Sequence, residues 1–443
     1  MKDLKKTFLG GIHPLHEIHE GKPLTEECAV KPYVPNYVVI PMGMHLGAPS
    51  KPIVQKGDYV KVGQKIAEPV GGLGLPVHAS ISGTVTAVEE RQQMRAGPEM
   101  CVVIENDMQD DWVEMTPAGT LESVTPEQIF AAVAEAGICG MGGASFPTHV
   151  KMKVPEGKNV DTVVLNGAEC EPYLTADYRK MLEEPETIVN GLLLIMKATG
   201  VKRGIVAIED NKPKAIEAMR SAAAGKAGVE VMPLKTKYPQ GGEKQLIDAC
   251  TGRQIPRGKL PADAGVLVFN VSTSAAIADA VLLGKPLVER NTTITGAVKN
   301  PCNLRLRIGT QFAEAIEAAG GLSEDAAKIF AGGPMMGTCI SSLETSMTKA
   351  TNGMTVFTAA QAKEFEEGPC IRCGRCVNAC PIRLMPYQMK YDTEKADFEA
   401  AKKHGVMDCV FCGACEYSCP AHRHLTSAFK ACKEEIVAKA RRK

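Results

Sequence analysis

The sequence predicts an α/β multidomain chain, and three observations carry that prediction. Short alternating strands, broken by Gly and Pro, fill the front, 1–110. Strand-like and helix-like segments then alternate through 119–262 and, on a smaller scale, through 263–345. The last segment, 355–443, reads as helix wherever it does not carry cysteine.

In chain order, the opening 1–35 is irregular and rich in Gly, Pro and His. The runs NYVVIPM, VQKGDYVKVGQKIAEPV, LPVHASISGTVTAVE and MCVVIEN then predict a small β-sandwich or barrel. TPEQIFAAVAEAG predicts a helix with Thr125 as N-cap, Pro126 at its first position and Gly137 beyond its end. TVVLNG, ETIVNGLLLIMKATG, GIVAIED and KPKAIEAMRSAAAG follow as strand, helix, strand and helix. GVLVFNV and PLVERNTTITGAV read as strands of the smaller module, with STSAAIADAVL and GTQFAEAIEAAGG as its helices.

Composition narrows the function. Lys+Arg and Asp+Glu both total 51, so the formal net charge is zero, which argues against a nucleic-acid partner. No apolar core follows the basic MKDLKK start, as a secretory signal requires. The longest apolar run, Gly191 to Met196, is far short of the roughly 18–20 residues that span a bilayer. A chain soluble by itself or peripheral on a membrane is expected. His13, His16 and His19 are regularly spaced, but Pro14 and Gly21 disfavour a helix there, and exposed or packing roles are expected of them.

Of 16 cysteines, nine lie between Cys370 and Cys432. Eight of these spell C-x2-C-x2-C-x3-C-P twice: Cys370, Cys373, Cys376, Cys380 with Pro381, and Cys409, Cys412, Cys415, Cys419 with Pro420. In this grammar three close thiolates wrap one [4Fe–4S] cubane and the fourth serves the other cluster. The expected ligand sets are therefore Cys370, Cys373, Cys376 and Cys419 for one cluster, and Cys409, Cys412, Cys415 and Cys380 for the second. Structural zinc prefers paired C-x2-C with a longer spacer. Cys432 lies outside both motifs and reads as a buried thiol. The long spacer PYQMKYDTEKADFEAAKKHGVMD predicts an α-helical dicluster domain.

Upstream, GICGMGGASFPTHVK crowds Gly137, Gly140, Gly142 and Gly143 ahead of Lys151, the composition of a loop whose N–H groups converge on phosphate. It matches neither a Walker A sequence nor G-x-G-x-x-G. A strand then ends at Asn166, before Glu169, Cys170 and Glu171. Tyr238, Gly241, Gly242, Glu243 and Lys244 mark a loop-to-helix junction, and Asn270 and Thr273 another. Taken singly, each is also what an ordinary turn or helix cap looks like.

Together and in this order, GMGGASFPTHVK, NGAECEP, YPQGGE and FNVST resemble the flavin- and NADH-binding flavoprotein subunit of respiratory complex I. With the GGIHP start, the β-rich front and the dicluster tail, the whole chain resembles the RnfC family, a subunit of the Rnf complexes, which are membrane-bound ion-translocating ferredoxin:NAD+ oxidoreductases. The resemblance implies an N-terminal barrel-sandwich domain, a central FMN/NADH-binding domain, a soluble-ligand-binding β-grasp module and a C-terminal 2×[4Fe–4S] ferredoxin-like domain. It implies that Gly140, Gly142, Gly143 and Ala144 cradle FMN, that Lys151 and Asn166 contact the flavin, and that Phe146 lies near the nicotinamide. Glu171 falls near the nicotinamide ribose or flavin edge, Glu243 helps position NADH, and Asn270 and Thr273 hold phosphate. Met141, Ala168 and Gly242 stand where complex I flavoproteins carry Arg, Asp and Glu.

The function so implied is peripheral electron transfer at the cytoplasmic face of the cell membrane. Hydride is exchanged between NAD(H) and non-covalent FMN, and single electrons pass through two [4Fe–4S] clusters. The implied partners are NADH/NAD+, the integral membrane and ferredoxin-like subunits of the complex, and ferredoxin indirectly; no catalytic acid or base is required. The three substitutions agree with the Rnf branch; the alternatives are a cobalamin reductase, which shares the domain order, and a non-catalytic dicluster relay, which the same substitutions motivate. The segment GGLGLPVHAS lacks the hairpin Lys of biotinyl- and lipoyl-type domains, so docking or scaffolding is expected of the front domain.

Overall fold

A computed structural model describes residues 6–14, 21–94 and 97–441; His16 and His19 lie outside them. Two small antiparallel sheets build the front domain. One orders Tyr37–Pro41, Pro98–Asn106, Gly83–Gln92 and Tyr59–Val60; the other orders Lys51–Pro52, Lys65–Glu68 and Val77–His78. Alternation along these strands sends Val38, Ile40, Val60, Ile66, Val85, Val102 and Ile104 into one core. That core continues without a break into the central domain through Ile129, Val133 and Ile138.

The central sheet is fully parallel, in the order Val229–Leu234, Arg203–Glu209, Thr162–Gly167, Val266–Asn270. Its strands are near-continuous apolar runs because helices cover both faces. Val163, Leu165, Val206 and Ile208 face one side, whereas Val164, Ile205 and Ala207 face the other, with Leu246 and Ile247. The helix Pro126–Glu135 starts on a complete capping box between Thr125 and Gln128. Helices Pro185–Thr199 and Val271–Leu283 approach so closely that a Cβ on Gly191 would stand 1.8 Å from the Ser274 carbonyl oxygen.

Val266–Asn270 and Val271–Leu283, placed by the sequence in the smaller module, thus belong to the central domain. A short apolar strand announces itself locally but not which sheet will accept it. The β-grasp module instead gathers a six-stranded sheet from distant segments: Val30–Tyr33, Cys302–Arg307, Glu289–Gly296, Gly353–Thr358, Ala326–Ala331 and Thr338–Cys339, in that order. The opening segment therefore contributes a strand, and the sheet runs past 355, where the cluster domain was expected to begin.

The front domain's hairpin is exposed at Gly71 and Gly72 but anchored at its foot. The fully buried Lys349 ammonium donates to the carbonyls of Gly137 (2.7 Å) and Pro76 (3.4 Å), tying the foot of the hairpin to the start of the glycine-rich loop. Burial pushes the Lys349 pKa down to about 8 and that of neighbouring His78 to about 3. Beyond residue 360 the fold is helical, with Met389, Ala401, Leu425, Phe429 and Ile436 in its core and Cys432 buried among them.

Candidate functional site

The four upstream motifs converge at the carboxyl edge of the central sheet, where open α/β sheets bind ligands. Asn166 and Asn270 are register partners at the ends of adjacent strands. The glycine-rich loop is pinched at its neck by the Gly140 N–H donating to the Phe146 carbonyl (2.9 Å). Its Met141 is clamped twice: the N–H donates to Thr273 Oγ1 (3.0 Å), and the carbonyl accepts from Arg290 (2.6 Å). Between these anchors Gly142, Gly143 and Ala144 are exposed, and their N–H groups meet no acceptor among the described residues. A Cβ on Gly142 would press 3.0 Å from Asn270, whereas one on Gly143 would enter open space. Unpaired N–H groups around an open space fit a phosphate.

Asn270 caps the helix behind the loop, accepting from Ser272 N–H (2.8 Å) and donating to Asp177 (2.6 Å). Asn166 donates to the Gly241 carbonyl (2.8 Å), so NGAECEP and YPQGGE lie backbone against side chain. Lys151 pairs with Glu243 at 3.0 Å and lies 5.6 Å from the Phe269 ring centre. Glu243 begins the helix Glu243–Thr251, and Phe146 is half-buried beside the loop.

Glu171 is placed differently from the other residues singled out. Its carboxylate accepts from the N–H groups of Met335 (2.6 Å) and Met336 (3.0 Å) in the β-grasp loop, and burial pushes its pKa up to about 7. Glu169 caps the helix Ala176–Glu183 by accepting from Asp177 and Tyr178 N–H, and burial raises its pKa.

Two buried lysines that drew no notice in the sequence hold this loop. Lys22 donates to the carbonyls of Glu169 (2.8 Å), Glu171 (3.0 Å) and Leu174 (2.6 Å), and Lys212 donates to that of Ala168 (2.7 Å). Burial, helped by Lys212, lowers the Lys22 pKa.

The two cysteine motifs share a backbone as well as a grammar. Arg372 and Phe411, Gly374 and Gly413, and Arg383 and His422 occupy matching positions and all take the left-handed conformation. Cys380, Cys409, Cys412 and Cys415 line a single cavity. The Cys376 thiol, raised mainly by burial, senses Cys419 and Cys370. These neighbourhoods fit the crossed ligand sets. Among the described residues no three His, Cys, Asp or Glu side chains converge on one bare metal ion, whereas a cubane spreads its thiolates over separate iron atoms.

The motifs differ in surroundings. Cys412 and Cys415 are buried, whereas Cys370 and Cys373 are exposed. Tyr238 donates to the Cys412 carbonyl (2.7 Å) and packs with Ala414, Cys170 and Met335. Gly11 and Ile12 stitch the junction, bonding to the Ala379 and Tyr238 carbonyls. Cys170 in turn accepts from the Gly241 N–H (3.3 Å), and burial pushes its pKa up to about 12.

Four family models match in chain order: the RnfC barrel sandwich hybrid domain over 6–109, the Nuo51 FMN-binding domain over 133–279, the SLBB domain over 291–338 and the 4Fe-4S dicluster domain over 369–422. The chain is 46% identical to the C subunit of the Na(+)-translocating ferredoxin:NAD(+) oxidoreductase complex of Acetobacterium woodii, over 98% of each chain. It is 45% identical to the proton-translocating counterpart of Clostridium ljungdahlii, over 97% of this chain and 94% of that one. Among solved structures, an NAD+-reducing [NiFe]-hydrogenase in its H2-reduced state shares the fold at 19% identity and TM-score 0.50, over 74% of this chain and 69% of that one. The chain belongs to the RnfC family, a subunit of the Rnf-type ion-translocating ferredoxin:NAD+ oxidoreductase complexes.

Proposed function

We propose that this chain is the peripheral, NAD(H)-facing electron-transfer subunit of such a complex, seated at the cytoplasmic face of the membrane. The observation that carries the reading is continuity: Gly241, held by Asn166 at the sheet edge, bonds to Cys170, which packs in one apolar cluster with Tyr238 and Cys412. When bound, FMN exchanges a hydride with NAD(H) and single electrons with an iron–sulfur cluster.

The chain's own residues bind and orient. The N–H groups of Gly142, Gly143 and Ala144 receive the phosphate end of FMN beside the N-terminus of the helix Val271–Leu283. Gly140 closes the loop's neck, and Asn270 and Thr273 hold the loop at that distance. Asn166, fixing the Gly241 backbone, would be among the residues that meet the flavin. Lys151 and Glu243 flank the dinucleotide cleft, and Phe146 offers its ring to the nicotinamide. Glu171 stands on the cluster side of the site. Cys409, Cys412, Cys415 and Cys380 would hold the more buried cluster, on the flavin side, and Cys370, Cys373, Cys376 and Cys419 the more exposed one; bound there, the pair would supply single-electron transfer between the flavin and membrane subunits. No described helix is long and apolar enough to cross a membrane, so ion passage falls to those subunits.

The test is anaerobic purification followed by flavin and iron analysis and NADH titration. About one FMN and eight iron atoms per chain, bleached by NADH, are expected from one flavin site and two four-iron clusters. Eight iron atoms with no flavin after FMN reconstitution would leave a relay and refute the NADH-oxidising role. Faster reduction of a corrinoid than of the membrane partners would point to the cobalamin-reductase reading.

A further inference from the structure

We propose that the groove between the helix Glu243–Thr251 and the cluster domain is the docking site for an acidic, amphipathic segment of another subunit of the complex. The proposal rests on the chain's place in that complex, and not on its flavin chemistry. The groove's walls are joined where Gln245 donates to the Pro381 carbonyl at 3.2 Å. Among its largely polar lining it presents apolar side chains: Leu9, 61% exposed, with Ile255, Ile382 and Leu384.

The rim has a cationic surplus: Lys244, Arg257, Arg383 and Lys403 stand against Asp248 and Asp408. Arg257 pairs with Asp408 at 2.5 Å. Lys244, Arg383 and Lys403 make no ion pair with any described carboxylate. Against them stands Asp248, whose carboxyl burial pushes up and Arg383 pulls back. Because the whole chain is formally neutral, this surplus is local and not a general basic surface. Apolar side chains bordered by a cationic surplus complement apolar side chains flanked by carboxylates, the arrangement that gives interfaces their register and salt dependence.

The groove also abuts the redox centre. The Leu384 N–H donates to Cys380 Sγ at 3.3 Å, so an occupant lies beside a ligand of the buried cluster.

The test uses the whole complex in its native membrane, with a photo-crosslinking amino acid at Leu9. Irradiation and mass spectrometry should identify an adduct with a carboxylate-rich segment of one other subunit. Its yield should fall at least fivefold in R383E/K403E and at high salt. No adduct, an adduct with lipid or a second copy of this chain, or a yield indifferent to R383E/K403E would each overturn the proposal. The rate of ferricyanide reduction by NADH, which needs only the flavin site, is read in parallel. Its absence in every preparation would count against the flavin reading while leaving the crosslink interpretable.

Discussion

Lys22→Met removes the one group that spans the acidic loop. Three carbonyls, those of Glu169 and Glu171 part-buried and that of Leu174 buried, lose their ammonium donor. A hydrogen bond to a charged group contributes about 1.5–3 kcal/mol net, so the three together reach about 4–9 kcal/mol. Part of this is offset, because burying the ammonium is itself costly, as its lowered pKa records. A net loss of about 3 kcal/mol, concentrated on 168–174, is the expected result. That loop holds Glu169 on the helix cap and Cys170 against Gly241, so FMN must reorder it on binding. At about 1.4 kcal/mol per decade, the FMN dissociation constant should rise roughly 100-fold. Fluorescence titration of flavin-depleted protein measures this, with iron content confirming intact clusters. FMN affinity within threefold of wild type, with unchanged thermal stability, would refute the clamp.

Gly143→Ala meets no protein atom, so stability should stay within about 0.5 kcal/mol of wild type; FMN occupancy should nonetheless fall at least tenfold, read by flavin content, because the methyl enters the proposed cradle. Cys380→Ser should abolish the cluster of the second motif and spare that of its own, distinguished by the electron paramagnetic resonance signals of the reduced protein; loss of the first motif's cluster alone would refute the crossing. Lys349 has a folded pKa of about 8, below the ordinary lysine value of 10.5, so between those values the unfolded chain holds more protons and this group makes stability rise with pH. That gain, about 3 kcal/mol in full, should be visible as a urea midpoint that climbs between pH 8 and 10.5 and should vanish in Lys349→Met.

Features written within one turn of chain were legible from the residues. Thr125 and Gln128 form their capping box because both partners lie three residues apart, and the cysteine grammar survives as matched left-handed turns at Arg372 and Phe411. What the sequence hid was long-range. Val266–Asn270 reads as a strand, yet its neighbour is Thr162–Gly167, a hundred residues away. Lys22 sits in a segment without periodicity, and its acceptors are backbone carbonyls, which leave no side-chain signal to pair with it. Asn270 stood out as a site residue and its capping bonds are local, but its bond to Asp177, 93 residues away, follows from tertiary packing.

One ammonium shared between the Pro76 and Gly137 carbonyls makes the front barrel and the glycine-rich loop mechanically a single part. That brace would let the barrel act as a strut for the loop. Damage to the strut would then surface far from its origin. A core lesion such as Ile66→Ala should first appear as lost flavin in a chain that still folds and still holds iron. Variants in this barrel are therefore to be scored at the flavin.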